Sequence, residues 1–453
     1  MKPTSVFAAP LLAVVAATMS CLSSSDGRSA PDGLATAAAD PDLASFIDAI
    51  RAVDNHAHPN TVGAEDSEAD ALPLEALGPF ELPDRLRPDH PDWLRAYQAL
   101  YGYSHSDLAE GHLEELRGAM RRVASEEGGR FPQRVLDRAG TEVMLANRVA
   151  MGPGLSLPRF RWVSFADPLI FPLSTASERA ASPDRQKLYP FEERLLRRYL
   201  SDRRMETVPP TLGDYLRQVV APTLEAQRRA GAVAVKFEAA FLRSLDFEDV
   251  SEEAAAKVYS RYARGGEPSR AEYKSLQDFL FRAIAREAGR LGMAVHLHCF
   301  NGPGNFYRAA GSDPLLLEPT LNDPTLRGTR FVLIHGGGAY AQHAGMMLWK
   351  PNVFADISAM TLIHTPARLA EVLRPWLLQF PGKVLFGSDA ASFGPEAGWE
   401  VTAWIATRTG REALTLALTE MLRKGEVSRT RARQIATMVM RTNAAQLYGL
   451  PLP

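Results

Sequence analysis

The stretch that decides the fold is "SRAEYKSLQDFLFRAIAREAGRLGMAVHLHC", residues 269–299. Ser269 and Glu272 stand in capping-box spacing, a helical pattern runs on to Gly292, and an apolar run follows at once. That run, "MAVHLHC" (293–299), stays apolar at successive positions and turns polar only near its end. A parallel strand buried on both faces reads this way. The same unit recurs along the chain. Strand-like runs are "IRAVDNH" (50–56), "EVMLANR" (142–148), "RWVSFAD" (161–167), "AVAVKFE" (232–238), "RFVLIHG" (330–336), "NVFADIS" (352–358) and "KVLFGSD" (383–389). Helical stretches separate them, among them 211–230, where Pro222 is expected to kink the helix. Eight alternations predict an α/β (β/α)8 TIM-like barrel over 44–453 rather than an open doubly wound sheet. Residues 60–140, between strands one and two, are too long for a connection. They predict a helical insertion at the barrel mouth, placed to cap it.

The chain has 453 residues, 46% hydrophobic and 23% charged, with a formal net charge of −2. That composition is globular and carries no basic footprint for nucleic acid. Two cysteines, Cys21 and Cys299, cannot make a disulfide framework. Lys2 followed by the apolar "VFAAPLLAVVAATMSC" predicts an export signal over 1–21, with 22–43 a small, polar tether. "TMSC" is similar to a bacterial lipobox, although Thr18 stands where leucine is usual, so a lipid anchor on Cys21 and an exported, periplasmic or membrane-anchored protein are expected. Cys299 reads as a small buried hydrophobe.

The polar residues that break the apolar runs fall at strand C-termini, where barrel enzymes build their sites. They are His56, His58, Lys236, His298, His335 and Asp389. Residues at i and i+2 of a strand share a face, so His56 and His58 can converge on one ion, as can His296 and His298. His298 lies nearer the rim, and His296, one pleat deeper, reads as a supporting or substrate-facing group. Imidazoles with a carboxylate suit Zn2+, with Fe2+ or Mn2+ as alternatives. Arg148, after strand two, is read either as a clamp for a substrate anion or as half of a structural ion pair. His90, His105, His112, His343 and His364 lack motif context. Glu396 and Trp399 read as capping or core residues.

In this order, HxH after strand one, Lys on four, His after five and six, and Asp after eight, the set resembles the metal-dependent amidohydrolase superfamily. "MAVHLHCFNG", "FVLIHGG", "VLFGSDA" and "NAAQLYGL" are similar to its amidohydrolase-related (amidohydrolase 2) branch, which includes decarboxylases. The resemblance implies one or two divalent ions and an activated water. With two ions, His56, His58 and Asp389 hold one, His298 and His335 the other, and a carboxylated Lys236 bridges them. Lys236 reads equally as an uncarboxylated amine paired with Glu238 or Asp389, or binding a substrate carboxylate. With one ion, His56, His58, His298 and Asp389 hold it and His335 bonds the substrate oxygen. Asp389 would shuttle the proton. The activity implied is hydrolysis of an amide, lactone or ester of a small molecule. The alternatives are a non-oxidative decarboxylase and a catalytically silent metal-binding or ligand-binding lipoprotein.

Overall fold

The computed structural model describes residues 39–451 apart from 62–65, 67, 74–80, 184, 301 and 303–307. The expected export signal, Cys21 and most of the tether lie outside the described residues. The tether ends earlier than expected, because Pro41–Asp48 is already helix. Asp40 caps it by accepting the N–H of Leu43, and Leu43 and Ile47 are fully buried.

Eight strands follow in chain order: β1 (Ala52–Ala57), β2 (Thr141–Asn147), β3 (Phe160–Phe165), β4 (Ala232–Phe237), β5 (Ala294–His298), β6 (Phe331–Ile334), β7 (Val353–Asp356) and β8 (Val384–Leu385). Each pairs in parallel with the next, in the order β1 to β8. β8 is shorter than its apolar run because the chain leaves the β7 ladder and turns to β1. The Asn55 N–H donates to the Phe386 carbonyl (2.9 Å), Asp389 N–H to His56 (2.8 Å) and His58 N–H to Ala390 (2.7 Å). This seam, with the Ala57–Ala390 bridge, brings the first and last strand ends together.

The helix between β4 and β5 forms as its sequence dictates. It spans Arg270–Arg290, with both capping-box bonds of Ser269 and Glu272 present, and Gly292 (φ 71°) ends the turn. Residues 212–229 run on as helical backbone, and Leu216–Val220 form a π turn directly before Pro222, the irregularity expected where a proline removes an N–H from the ladder. The closing helix Asn443–Tyr448 adds Ala444 and Leu447 to a buried cluster with Val53, Val163, Val332 and Leu385, residues of β1, β3, β6 and β8. In the insertion, Trp93 and Tyr97 of the helix Pro91–Tyr101 pack against Val401 and Ile405 of the helix Trp399–Arg423. A further helix, Glu110–Glu127, is tied to the loop after β8 by Arg117 Nε on Glu396 (2.6 Å).

After β6, Gly336, Gly337 and Gly338 all take positive φ (52°, 79° and 53°). A Cβ on Gly336 would meet the Trp376 ring at 2.6 Å and the Asp356 carbonyl at 2.7 Å. Gly336→Ala is therefore expected to destabilise the fold by about 2 kcal/mol or more, read as a lowered denaturation midpoint. An unchanged midpoint would show that this close approach is not needed.

Candidate metal centre

β1 does not keep strict alternation to its end. Its register against β2 shifts between Asp54 and Ala57. Such an irregularity re-aims side chains. Asn55 faces Tyr448 and Asp356, while the next residue, His56, stands beside His58 and Asp389. His335 and Asp389 are turned by another device, left-handed backbone (φ 66° and 57°). Non-glycine residues hold that conformation only where their surroundings impose it, and such strain clusters at functional sites.

His56 Nε2 lies 3.3 Å from His58 Nε2 and 3.2 Å from Asp389 Oδ1, and His58 Nε2 lies 3.8 Å from the same oxygen. Among the described residues this trio is the group of His, Cys, Asp or Glu side chains whose ligand atoms all lie within 4.8 Å of one another, so it could hold a metal ion. The surroundings of the His58 ring fit that task. Asp70 Oδ2 is 3.1 Å from His58 Nδ1, which favours the proton on Nδ1 and the lone pair of Nε2 towards the trio. The Asn147 amide nitrogen, 2.8 Å from His56 Nδ1 and 3.2 Å from the Ala57 carbonyl, orients the His56 ring.

A second pair lies beside the trio, with the His335 ring 5.1 Å from that of His56. His298 donates from Nε2 to the Phe300 carbonyl (2.9 Å), so its Nδ1 carries a lone pair. The Ser358 hydroxyl donates to Asp356 Oδ1 (2.8 Å) and accepts from His335 Nδ1 (2.9 Å), which leaves His335 Nε2 unprotonated. Those two nitrogens face each other at 3.1 Å, an arrangement that a cation between or beside them would stabilise. Lys236, fully buried, reaches His56 Nε2 at 3.2 Å and Glu238 Oε1 at 3.8 Å.

Burial holds His56, His298 and His335 well below the usual imidazole range, so they stay neutral, the form that binds metal. Burial also depresses His58, but Asp70 and Asp389 beside it outweigh that and raise it above 6.5. Burial pushes the Asp389 carboxyl up against the opposing charges of His58 and Lys236. It lifts Asp356 to about 6 despite the bonds from Asn55 and Ser358.

The six strand-end residues thus come together. Two other candidates do not face the site. Arg148 is fully buried, with Nη1 on the Pro59 carbonyl (2.7 Å), Nε on the Ala150 carbonyl (2.9 Å) and Nη2 on Asp66 (2.7 Å), so it is the structural ion pair and not a substrate clamp. His296 bonds the Tyr448 hydroxyl at 2.7 Å, and burial pulls it down to about 3, so it supports the site from below instead of meeting substrate. Cys299 is buried as expected. His105 and His112 stack on each other and pair with Glu115 and Asp107, while His343 pairs with Asp313. Reasoning from sequence missed Asp70, Asn147, Asn55, Asp356 and Ser358. Asp356 ends β7, and the strand-end rule could have found it; Asp70 lies in the insertion, where no pattern marks it.

Residues 208–450, over half of the chain, match the family model described as amidohydrolase. A Lactobacillus casei protein assigned as a metal-dependent hydrolase shares the fold, with a TM-score of 0.57 at 16% identity over 90% of this chain and 97% of that one. Glucuronate isomerase of Caulobacter crescentus does so with a TM-score of 0.60 at 14% identity, over 93% and 96%. Protein fluG of Emericella nidulans is 29% identical over 121 residues, 26% of this chain and 13% of that protein.

Because metal must displace the proton from His58, zinc affinity is expected to fall as pH drops through and below the raised His58 value, by up to about tenfold per pH unit. Asp70→Asn should weaken zinc binding about 10–100-fold and move that fall to lower pH. Competition titration with a chromophoric chelator reads both. A pH-independent affinity between pH 8 and 6 would remove His58 from the ligand set.

Proposed function

The chain belongs to the amidohydrolase family, and on that footing we propose that it is a metal-dependent hydrolase that uses an activated water to cleave an amide, lactone or ester bond of a small molecule. The observation that carries this reading is the position of Asp389. One of its oxygens lies against His56 and His58 and the other 3.8 Å from His335 Nδ1, so a single carboxylate touches both halves of the constellation.

His56, His58 and Asp389 would hold a divalent ion, most fittingly zinc, and its charge would lower the pKa of a bound water towards ~7. Asp389 has a second oxygen free of that trio to take the water's proton and return it to the leaving group. Its left-handed backbone sets the direction in which the side chain leaves the chain, towards His56 and His58. His58 is kept in one tautomer by Asp70, and His335 by Ser358 and Asp356, so neither ring spends a proton in the wrong place. The lone pairs of His298 and His335 favour the two-ion form over the one-ion form, in which His335 would have to donate from Nε2 to the substrate. In the two-ion form Lys236, which lies 3.2 Å from His56 Nε2, would be carboxylated by CO2 and help to hold both ions. The insertion helices, tied to the loop after β8, form a cap that shapes the substrate pocket. On the strength of residues 1–21 the protein acts outside the cytoplasm, anchored through Cys21.

Metal-loaded protein is expected to turn over members of an amide, lactone and ester panel with net consumption of water, and Asp389→Asn to lower kcat by about 10^2–10^4. Release of CO2 from an aromatic or unsaturated acid instead would assign a decarboxylase, and no turnover at all a silent binder. Wild type should hold about two ions per chain by elemental analysis, and Lys236→Ala should lose the second. One ion in both would reject the bridging lysine.

A further inference from the structure

The turns that lead into β1, β7 and β8 lie at the end of the barrel opposite the metal centre, which is built on strand C-termini. Among the described residues the exposed large apolar side chains are Leu157, Met346, Trp349 and Leu378, and all but Leu157 flank two of these turns. Trp349, just before β7, is 69% exposed, and its ring meets that of Phe380, just before β8, edge-on at 5.0 Å. Two residues further on, a Cβ at Gly382 would meet Met438 Cε at 3.5 Å. The apolar turn therefore borders the helical segment 429–442.

That segment is basic. Between 423 and 441 stand Arg423, Lys424, Arg429, Arg431, Arg433 and Arg441 against one acid, Glu426, in a chain whose formal net charge is −2. Arg423 and Lys424 pair with Glu420, and Arg429 with Asp40. Arg431 and Arg433 are exposed and make no ion pair among the described residues. The Arg433 guanidinium lies 5.2 Å from the centre of the Phe46 ring. Phe46, Arg431, Arg433 and Met438 line a cleft of about 540 Å³ together with Thr430 and Thr437. Guanidinium and hydroxyl donors beside apolar side chains suit a phosphate carried on an apolar body.

The tether joins the molecule at the same place. The Asp40 N–H donates to Thr419 Oγ1 (3.0 Å), and its carboxylate takes both Nη atoms of Arg429 (2.9 and 2.8 Å). Phe46 belongs to the helix Pro41–Asp48 that follows. Residues 22–38 thus connect Cys21 to this face. Positive charge, an exposed tryptophan and the entry point of the tether all fit one partner, a bilayer containing anionic phospholipid. No helix among the described residues is long and apolar enough to cross a membrane, so such contact is peripheral. Stable anchoring takes two signals, and a basic patch is one that complements an acyl chain.

We propose that this face rests on an anionic membrane, with Trp349 in the headgroup layer and Arg431 and Arg433 on lipid phosphates, and turns the metal centre away from the bilayer. The proposal rests on the Cys21 anchor for how the protein arrives there, and the test keeps anchor and surface apart.

The full chain is placed on vesicles of phosphatidylcholine alone, or of phosphatidylcholine and phosphatidylglycerol in equal amounts. A spin label is attached at Trp349→Cys or, as a control on the insertion helix tied to the loop after β8, at Glu114→Cys. Cys299 is buried and does not compete for it. Mass spectrometry of the N-terminal peptide reports whether Cys21 carries lipid, and where it does not, Cys21→Ser keeps the label at one place. Power saturation then reads depth. On anionic vesicles only, the 349 label is expected at the headgroup–acyl boundary, roughly 5–10 Å deep, with the 114 label in water throughout. In ~1 M salt, where the screening length falls from about 10 Å to about 3 Å, the 349 label should return to water. Arg431→Glu with Arg433→Glu should do the same. A 349 label in water on anionic vesicles overturns the proposal, as does immersion equally deep on neutral vesicles or after the charge reversals. Spin–spin broadening between 349 labels would assign the face to a second copy of the chain instead. If Trp349→Cys does not fold, Met346→Cys carries the label. Unlipidated protein that still floats with anionic vesicles and immerses the label removes the anchor and leaves the surface. Lipidated protein with the label in water does the reverse.

Discussion

The seam between the first and last strands is the constraint on which everything else depends. Three backbone hydrogen bonds join Asn55, His56 and His58 to Phe386, Asp389 and Ala390. Asp54 reinforces them from its side chain by accepting the N–H of Ser388 at 2.9 Å. Without that closure the two imidazoles of β1 and the carboxylate after β8 would be unrelated points of a long chain. With it, they are within bonding reach of one ion. The barrel is thus less a container for the centre than the means of making it.

The polar residues beneath the mouth hold this geometry at some cost in stability. Tyr448, from the end of the chain, bonds both His296 and Asn55, and Asn55 donates to Asp356 at 2.8 Å. Asp356 in turn accepts from Ser358 and from the His335 N–H. Buried carboxyls such as Asp54, lifted to about 7 by burial, and Asp356 are tolerable because their neighbours donate to them. Left-handed backbone at His335 and Asp389 adds strain that the surrounding bonds and the glycines after His335 accommodate. Rigidity here serves orientation.

Much of this was legible in the sequence. The alternation of helical and apolar runs predicted all eight strands, and the rule that barrel chemistry gathers at strand ends picked out His56, His58, Lys236, His298, His335 and Asp389. Alternation could not show how β1 turns both Asn55 and His56 to use, because that depends on a register shift set by its neighbours. Arg148 remained ambiguous until Asp66, distant in sequence and without periodic context, took up its guanidinium. Asp70 carries no motif at all; its meaning comes from His58, which it faces.

The central claim is that the strand-one and strand-eight ends form a metal centre. The most direct measurement is anomalous diffraction at the zinc edge from crystals grown with zinc. The account predicts a peak bonded to His56 Nε2, His58 Nε2 and an oxygen of Asp389, at about 2.0–2.2 Å from each. Crystals saturated with zinc that show no peak among these three side chains, with the ion bound elsewhere, would contradict it.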